Sequence, residues 1–333
     1  MSPRRATMND VAKLAGVTQA TVSYVINDSA NISDEVKARV YAAIKELDYS
    51  PNYNARALKT NRSNIIGIIL PDIVNPYYAR MVELLEQVFI KTNHHTMVYV
   101  TSYNPKYEKD IIHRLLSCDV YGIIVLYQLT DAANWNILRQ SGKSIIALEG
   151  GKYCSEIGIP CVLIDSFYGG YTATKYLIEK GSKKIAFIHQ TAVNETLHDR
   201  FRGYRKAMEE AGRFDSDDIF YVESSFNIYE EGKKIGSQVA VLPYDAIFAS
   251  SDLIAVGVIK QLILHGKKVP EDVSVIGYDD IPLAELFIPA LTTMVQPLKE
   301  VCQLIVQILL PKDGETPPNL PLLKPSLVIR ESA

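Results

Sequence analysis

The sequence predicts an α/β protein in which a small all-α N-terminal head precedes two doubly wound parallel-sheet lobes. Three observations predict it. The first sixty residues carry short helical patterns separated by cap residues. From Ile65 onward, brief continuous apolar runs alternate with amphipathic stretches. At 333 residues the chain is also too long for one compact core and suits two or three domains.

In the head, Thr7-Met8-Asn9-Asp10 fits a capping box, Val11, Ala12, Leu14 and Ala15 supply an apolar face, and Gly16 stops the helix. Thr18 offers a second N-cap ahead of Val22, Val25 and Ile26. Ser33-Asp34-Glu35 opens a third helix with Val36, Val40, Ile44 and Leu47 on one face. Tyr49-Ser50-Pro51-Asn52 breaks the pattern, because proline disfavours helix in the residue before it. Residues 52–63 are polar and lightly basic, as in a linker with some helical propensity.

Ile65 to Leu70 then reads as a strand buried on both faces. Further strands are expected at Met97–Val100, Gly122–Leu126, Ser144–Leu148, Val162–Ile164, Ile185–Ile188, Ala246–Ala249 and Val273–Ile276, with helix patterns between them. That alternation implies parallel sheets covered by helices. In such sheets ligands bind beyond the carboxyl ends of the strands. The residues there are Pro71 to Tyr78, Tyr127, Glu149, Asp165, Gln190 to Arg200, Ser250-Ser251-Asp252 and Tyr278-Asp279-Asp280. Carboxylates, amides and aromatic faces in one place suit a hydroxyl-rich ligand.

Composition is that of an ordinary globular protein, 47% hydrophobic and 22% charged. No apolar run approaches bilayer length. The basic N-terminus lacks the apolar stretch of a signal peptide, so a cytoplasmic protein is expected. The four cysteines, Cys118, Cys154, Cys161 and Cys302, have no metal-type spacing and read as free thiols. No metal or cofactor is called for. Residues 1–60 hold eight Lys/Arg and six Asp/Glu, which leaves 27 and 32 of the 35 and 38 for the remainder. A slightly basic head on an acidic body fits a nucleic-acid module.

The run Met8-Asn9-Asp10-Val11-Ala12-Lys13-Leu14-Ala15-Gly16-Val17-Thr18-Gln19-Ala20-Thr21-Val22-Ser23-Tyr24-Val25-Ile26-Asn27 closely resembles the headpiece of the lactose/galactose repressor family. Tyr49 to Lys59 resembles its hinge, and Pro71 to Tyr78 its first core loop. Ile276 to Asp280 and the tail Leu327 to Ala333 match its style. The resemblance covers essentially the whole chain in order. It implies a helix-turn-helix head (1–50), a hinge helix or linker (51–63) and a periplasmic-binding-protein-like core (64–333). Three crossings between lobes, near Asp165, Leu291 and Leu320, would make one lobe from 64–164 and 291–320, and the other from 165–290 and 321–333. A homodimer is implied too, since dyad-symmetric operators demand a protein of the same symmetry.

By the same resemblance, Gln19 to Ile26 enters the major groove. A carboxamide such as Gln19 reads adenine, and the Ala20 methyl suits a thymine methyl. Thr7, Thr18, Thr21, Ser23 and Asn27 are expected on phosphates, with Thr7 and Thr18 also serving as caps. Tyr24 stands where the family often has arginine, which removes the usual guanine contact. Ala57, Leu58 and Lys59 belong to the hinge, where Leu58 would wedge between base pairs from the minor groove. The effector pocket carried over from the family comprises Tyr77, Tyr78, Glu149, Thr196, Arg200, Phe226, Ser251 and Asp279. Arg200 offers a fixed fork to hydroxyls or a carboxylate. Ser251 departs from the asparagine of many sugar-responsive members.

The resulting expectation is a DNA-binding transcriptional repressor controlled by a small effector, a mono- or disaccharide, which either releases or tightens the operator. A purine or a phosphorylated carrier protein is the alternative effector. An enzyme on this scaffold would lack a Gly-x-Gly-x-x-Gly turn, a phosphate-cradling loop and a nucleophile elbow, and would not need residues 7–27. A transporter-feeding sugar-binding protein would need the missing signal peptide.

Overall fold

A computed structural model describes residues 6–27, 32–49, 63–190, 195–222, 227–311 and 318–333. The chain separates into two units, residues 1–63 and 64–333.

The head contains α1 (Met8–Ala15), α2 (Gln19–Asn27) and α3 (Asp34–Glu46). Its capping box forms as the sequence suggests. The Thr7 hydroxyl accepts from the Asp10 amide at 3.3 Å, and the Asp10 carboxylate accepts from the Thr7 amide at 2.9 Å. Gly16 ends α1 at φ +64°, and its amide bonds back to Ala12 and Lys13. Thr18 caps α2 by accepting from the Thr21 amide at 3.1 Å. Val11, Val22 and Val40 have no exposed surface, and Ala12, Ala15, Val25 and Ala43 complete a small core. Leu14, expected on the apolar face, is 47% exposed. At about 100° per residue it falls on the flank of the arc made by Val11, Ala12 and Ala15.

The larger unit runs β1 (Ile65–Leu70), α4 (Pro76–Phe89), β2 (His95–Val100), α5 (Pro105–Ser117), β3 (Gly122–Val125), α6 (Ala132–Gln140), β4 (Ser144–Leu148), α7 (Gly151–Glu156) and β5 (Cys161–Ile164). It continues with α8 (Ser166–Glu179), β6 (Ile185–Gln190), α9 (Glu195–Glu210), β7 (Ile219–Val222), α10 (Ile228–Val239), β8 (Ala246–Ala249), α11 (Asp252–Leu264), β9 (Ser274–Asp279), α12 (Pro282–Leu286) and β10 (Thr292–Val295). Last come α13 (Leu298–Leu309), β11 (Leu322–Leu323) and β12 (Ser326–Val328). Two sheets result, in the orders β11-β5-β4-β3-β1-β2 and β12-β10-β9-β8-β6-β7. Ile66, Ile68 and Ile69 on β1 and Ala246 to Ala249 on β8 have no exposed surface, because helices cover both faces.

Two details differ from expectation. The sheets are not wholly parallel, since β12 returns antiparallel to β10. The second and third crossings also lie later than Leu291 and Leu320. β10 pairs with β9 in the second sheet, so the chain leaves that lobe only after Val295. It re-enters the first lobe with α13, whose Val301, Cys302, Ile305 and Leu309 join that core. β11 pairs with β5 in the first sheet, so the final crossing follows Leu323. β10 opens with two threonines and β11 is two residues long, so neither registers as an apolar run.

Among the described residues, no helix is long and apolar enough to cross a membrane. Gly16 has a left-handed backbone, so a β-branched side chain there costs about 1–2 kcal/mol. Gly16→Val is expected to lower hydrogen-exchange protection of the α1 amides by about tenfold. Protection unchanged within about twofold would show that the α1 terminus does not limit the head's stability.

Candidate functional site

Two regions answer to the sequence reading. In the head, Thr7, Thr18, Gln19, Ala20 and Tyr24 are exposed, while Thr21 and Ser23 are half-buried. Val22 and Val25 anchor α2 from behind, so the Gln19–Ala20 side is presented outward by the same helix that builds the core. Asn27 closes the helix. Ala57, Leu58 and Lys59 lie outside the described residues.

The second region is the cleft between the two sheets, at their carboxyl edges. Arg200, on α9, is only 5% exposed. Its Nη1 donates to the Ser250 carbonyl at 2.6 Å and lies 3.4 Å from Asp279 Oδ1, and the guanidinium stacks 3.7 Å above the Tyr278 ring. Close helix contact fixes it there. A Cβ on Gly170 would sit 2.1 Å from the Arg200 carbonyl oxygen, and one on Gly203 would sit 2.2 Å from that of Phe167. The glycine three residues after Arg200 therefore exists so that α9 can lie against α8.

Glu149 and Asp279 face this guanidinium from opposite lobes. Glu149 follows β4 and Asp279 ends β9, both on left-handed backbone, at φ +53° and +115°. Such conformations cost about 1–3 kcal/mol and cluster where a side chain must be aimed. Burial pushes the Glu149 carboxyl up to about 7, with Arg200 and the Thr196 hydroxyl opposing and Asp279 adding to it. Burial likewise raises Asp279 to about 6, against Arg200 and Gln296. The loop after Asp279 is pinned by Asp252, which is wholly buried. Its carboxylate accepts from the Thr293 hydroxyl at 2.6 Å and the Ile281 amide at 2.9 Å.

From the first lobe, Asn75 caps α4 by accepting from the Tyr77 amide at 3.0 Å, which places Tyr77 and Tyr78 at the cleft with their rings edge to face. The Tyr77 hydroxyl donates to Gln296 Oε1 at 3.1 Å, and Gln296 Nε2 donates to Asp279 Oδ1 at 2.6 Å. A second bridge joins Glu195 to the first lobe. Its amide donates to Gln128 at 3.2 Å, and its carboxylate accepts from the Lys152 amide at 3.0 Å.

These side chains surround a cavity of about 50 Å³. Tyr77, Tyr78, Glu149, Arg200, Ser251 and Asp279 all line it, and Thr196 touches it through Glu149. Phe226 lies outside the described residues. The sequence reading missed three lining residues: Tyr103, Ile228 and Gln296. Tyr103 follows β2, so inspecting that strand's end would have found it. Gln296 follows β10, a strand the pattern did not reveal. Glu149 Oε1, Ser251 Oγ and Arg200 Nε are buried without a hydrogen-bond partner among the described residues. Buried acceptors and donors facing a cavity suit a hydroxyl- or amine-bearing molecule. Among the described residues, no group of three or more His, Cys, Asp or Glu gathers to hold a metal.

Known proteins resemble this chain in both the head and the larger unit. Residues 7–52 match the family described as bacterial regulatory proteins, lacI family, and residues 174–333 match a periplasmic binding protein-like domain. The chain is 34% identical over 300 residues to the HTH-type transcriptional regulator DegA of Bacillus subtilis, covering 89% of this chain and 88% of that one. It is 32% identical to the ribose operon repressor of Haemophilus influenzae, covering 98% of each. A solved complex of the transcriptional regulator CelR with cellobiose superimposes with a TM-score of 0.69 at 29% identity, covering 99% of this chain and 100% of that one.

The raised carboxyls generate a pH dependence. In the folded chain Glu149 keeps its proton up to about 7 rather than the ordinary 4.5. The folded state therefore binds more protons in that window, so stability is fully present below about 4.5 and falls as pH rises through 7. Glu149→Gln should remove on the order of 2 kcal/mol of the loss between pH 5 and 8, measured by urea unfolding. An identical pH slope in the variant would show that Glu149 is ionised throughout.

Proposed function

We propose how a member of the lacI family of bacterial regulatory proteins, to which this chain belongs, uses these two regions. The chain is an effector-controlled, DNA-binding transcriptional regulator and not an enzyme. The head reads a dyad-symmetric operator through Gln19 and Ala20, with Thr7, Thr18, Thr21, Ser23 and Asn27 on the phosphates and Tyr24 replacing a guanine contact. Ala57, Leu58 and Lys59 serve the operator centre, and a homodimer in the cytoplasm supplies the symmetry.

The effector is a sugar. The observation that carries this reading is the meeting of Glu149, Arg200 and Asp279 with unpartnered polar atoms in a buried cleft between lobes. Carboxylates accept from hydroxyls, guanidinium donates to them, and Tyr77 and Tyr78 offer aromatic faces. The ribose and cellobiose in the names of the relatives support the same class. About 50 Å³ does not hold a sugar ring, so binding displaces the Tyr77–Gln296–Asp279 bridge and shifts one lobe against the other. A ligand that binds the two lobe arrangements unequally changes operator affinity by that difference.

The DNA half of this reading is tested on an operator selected from random duplexes. Gln19→Ala should weaken binding to that operator by about tenfold while changing bulk-DNA binding less than about twofold. Equal weakening on both would remove Gln19 from base reading.

A further inference from the structure

The cavity between the lobes is bordered by a third tyrosine, Tyr103, in the loop that joins β2 to α5. Tyr77 is tied across the cleft to Gln296, by a bond that the proposed effector displaces. Tyr103 is tied within its own lobe instead, through its backbone and through its ring.

Ser102 and Tyr103 are consecutive non-glycine residues on left-handed backbone, at φ +55° and +52°. A bulky residue keeps that conformation where its surroundings impose it. Here the Ser102 amide donates to the Pro71 carbonyl at 2.9 Å, and the Asn104 amide to the Thr101 carbonyl at 3.1 Å. Asn104 then caps α5, accepting from the Lys106 amide at 3.0 Å. The turn is stitched to the loop after β1 on one side and to a helix start on the other.

The Tyr103 ring stands edge to face on Tyr127, with 5.5 Å between centroids. Tyr127 is 1% exposed and sits behind the residues that line the cavity. Its hydroxyl donates to Glu108 Oε1 at 2.8 Å and meets Thr101 Oγ1 at 2.6 Å. Glu108 has no exposed surface and also accepts from the Thr130 amide at 3.0 Å and from Asn134 Nδ2 at 2.9 Å. Turning Tyr127 aside would break buried hydrogen bonds that no water replaces. A ring backed in this way does not yield, because close-packed interiors transmit displacement and do not absorb it.

We propose that Tyr103 is a specificity-determining residue of the cleft, a rigid wall that restricts the effector to a single ring, with Tyr127 and Glu108 as positioning residues behind it. This rests on the sugar reading and adds a size limit and the residues that impose it. Movement of the lobes changes the distance across the cleft. Tyr103, Tyr127 and Glu108 belong to one lobe, so their spacing survives that movement, and a larger ligand meets the same wall in either arrangement.

The test uses the full chain and isothermal titration with ribose, glucose, galactose, fructose, cellobiose, maltose, lactose and sucrose. The tightest-binding monosaccharide should exceed every disaccharide by about tenfold in affinity. Tyr103→Asn removes the ring with a residue that tolerates left-handed backbone, and should narrow the gap to at least one disaccharide to about threefold or less. Tyr103→Phe keeps the ring and should keep the gap. Tyr127→Phe should narrow it at least about twofold at unchanged monosaccharide affinity, whereas a merely structural role would weaken every sugar alike.

Three results overturn the wall and leave the sugar reading standing. They are a disaccharide that binds the wild type as well as the best monosaccharide, a gap unaltered in Tyr103→Asn, or a gap lost equally in Tyr103→Phe. An unchanged gap in Tyr127→Phe removes the positioning role from Tyr127 and Glu108. No binding by any of these sugars overturns the sugar reading itself, and the wall with it.

Discussion

The core is organised around the burial of one guanidinium. Removing the Arg200 charge from water costs several kcal/mol unless its surroundings replace the lost solvation. The replacement comes from a carbonyl at the end of β8, a carboxylate at the end of β9, a second carboxylate at the end of β4 and the Tyr278 ring beneath. Each partner sits at a strand's carboxyl edge, so the arrangement exists only when both sheets are complete and facing. Gly170 and Gly203 are consequences of the same demand, since α9 must come within backbone contact of α8 to deliver the side chain.

The compensation is deliberately incomplete. Two raised carboxyls stand beside one guanidinium, and Glu149 Oε1 and Ser251 Oγ have no hydrogen-bond partner among the described residues, so in the proposed reading an outside donor completes the cluster. One of the two bridges described between the lobes runs through the same groups. Gln296, in the segment where the chain crosses between lobes, ties Tyr77 to Asp279. A molecule that engages Asp279 competes with the hinge's own hydrogen bond. In the proposed reading, recognition and lobe movement therefore draw on one set of atoms, as a two-state regulator requires.

Much of this was legible in the sequence because strand ends are legible. The apolar runs at Ile65–Leu70, Ser144–Leu148 and Ala246–Ala249 are strong signals; Glu149 follows one directly, Ser251 lies two residues past Ala249, and Asp279 lies three past the run that ends at Ile276. The capping box of Thr7 and Asp10 and the glycine stop at Gly16 are local chemistry, so they too could be read. Apart from β7, which was not among the expected strands, what escaped was non-local. β10, β11 and β12 are stabilised by neighbours far away in sequence, with no periodicity of their own to announce them. Missing β10 displaced a lobe crossing and hid Gln296. Leu14 was misplaced for a smaller reason, because an eight-residue helix can bury only a narrow arc.

The most direct measurement compares operator affinity with and without saccharide in the wild-type chain and in Arg200→Lys. Lysine keeps the charge and loses the planar fork and its stacking on Tyr278. The account predicts that the variant binds operator as the wild type does, while saccharide no longer alters that affinity. A variant whose operator binding still shifts with saccharide by the wild-type factor would contradict the role given to Arg200.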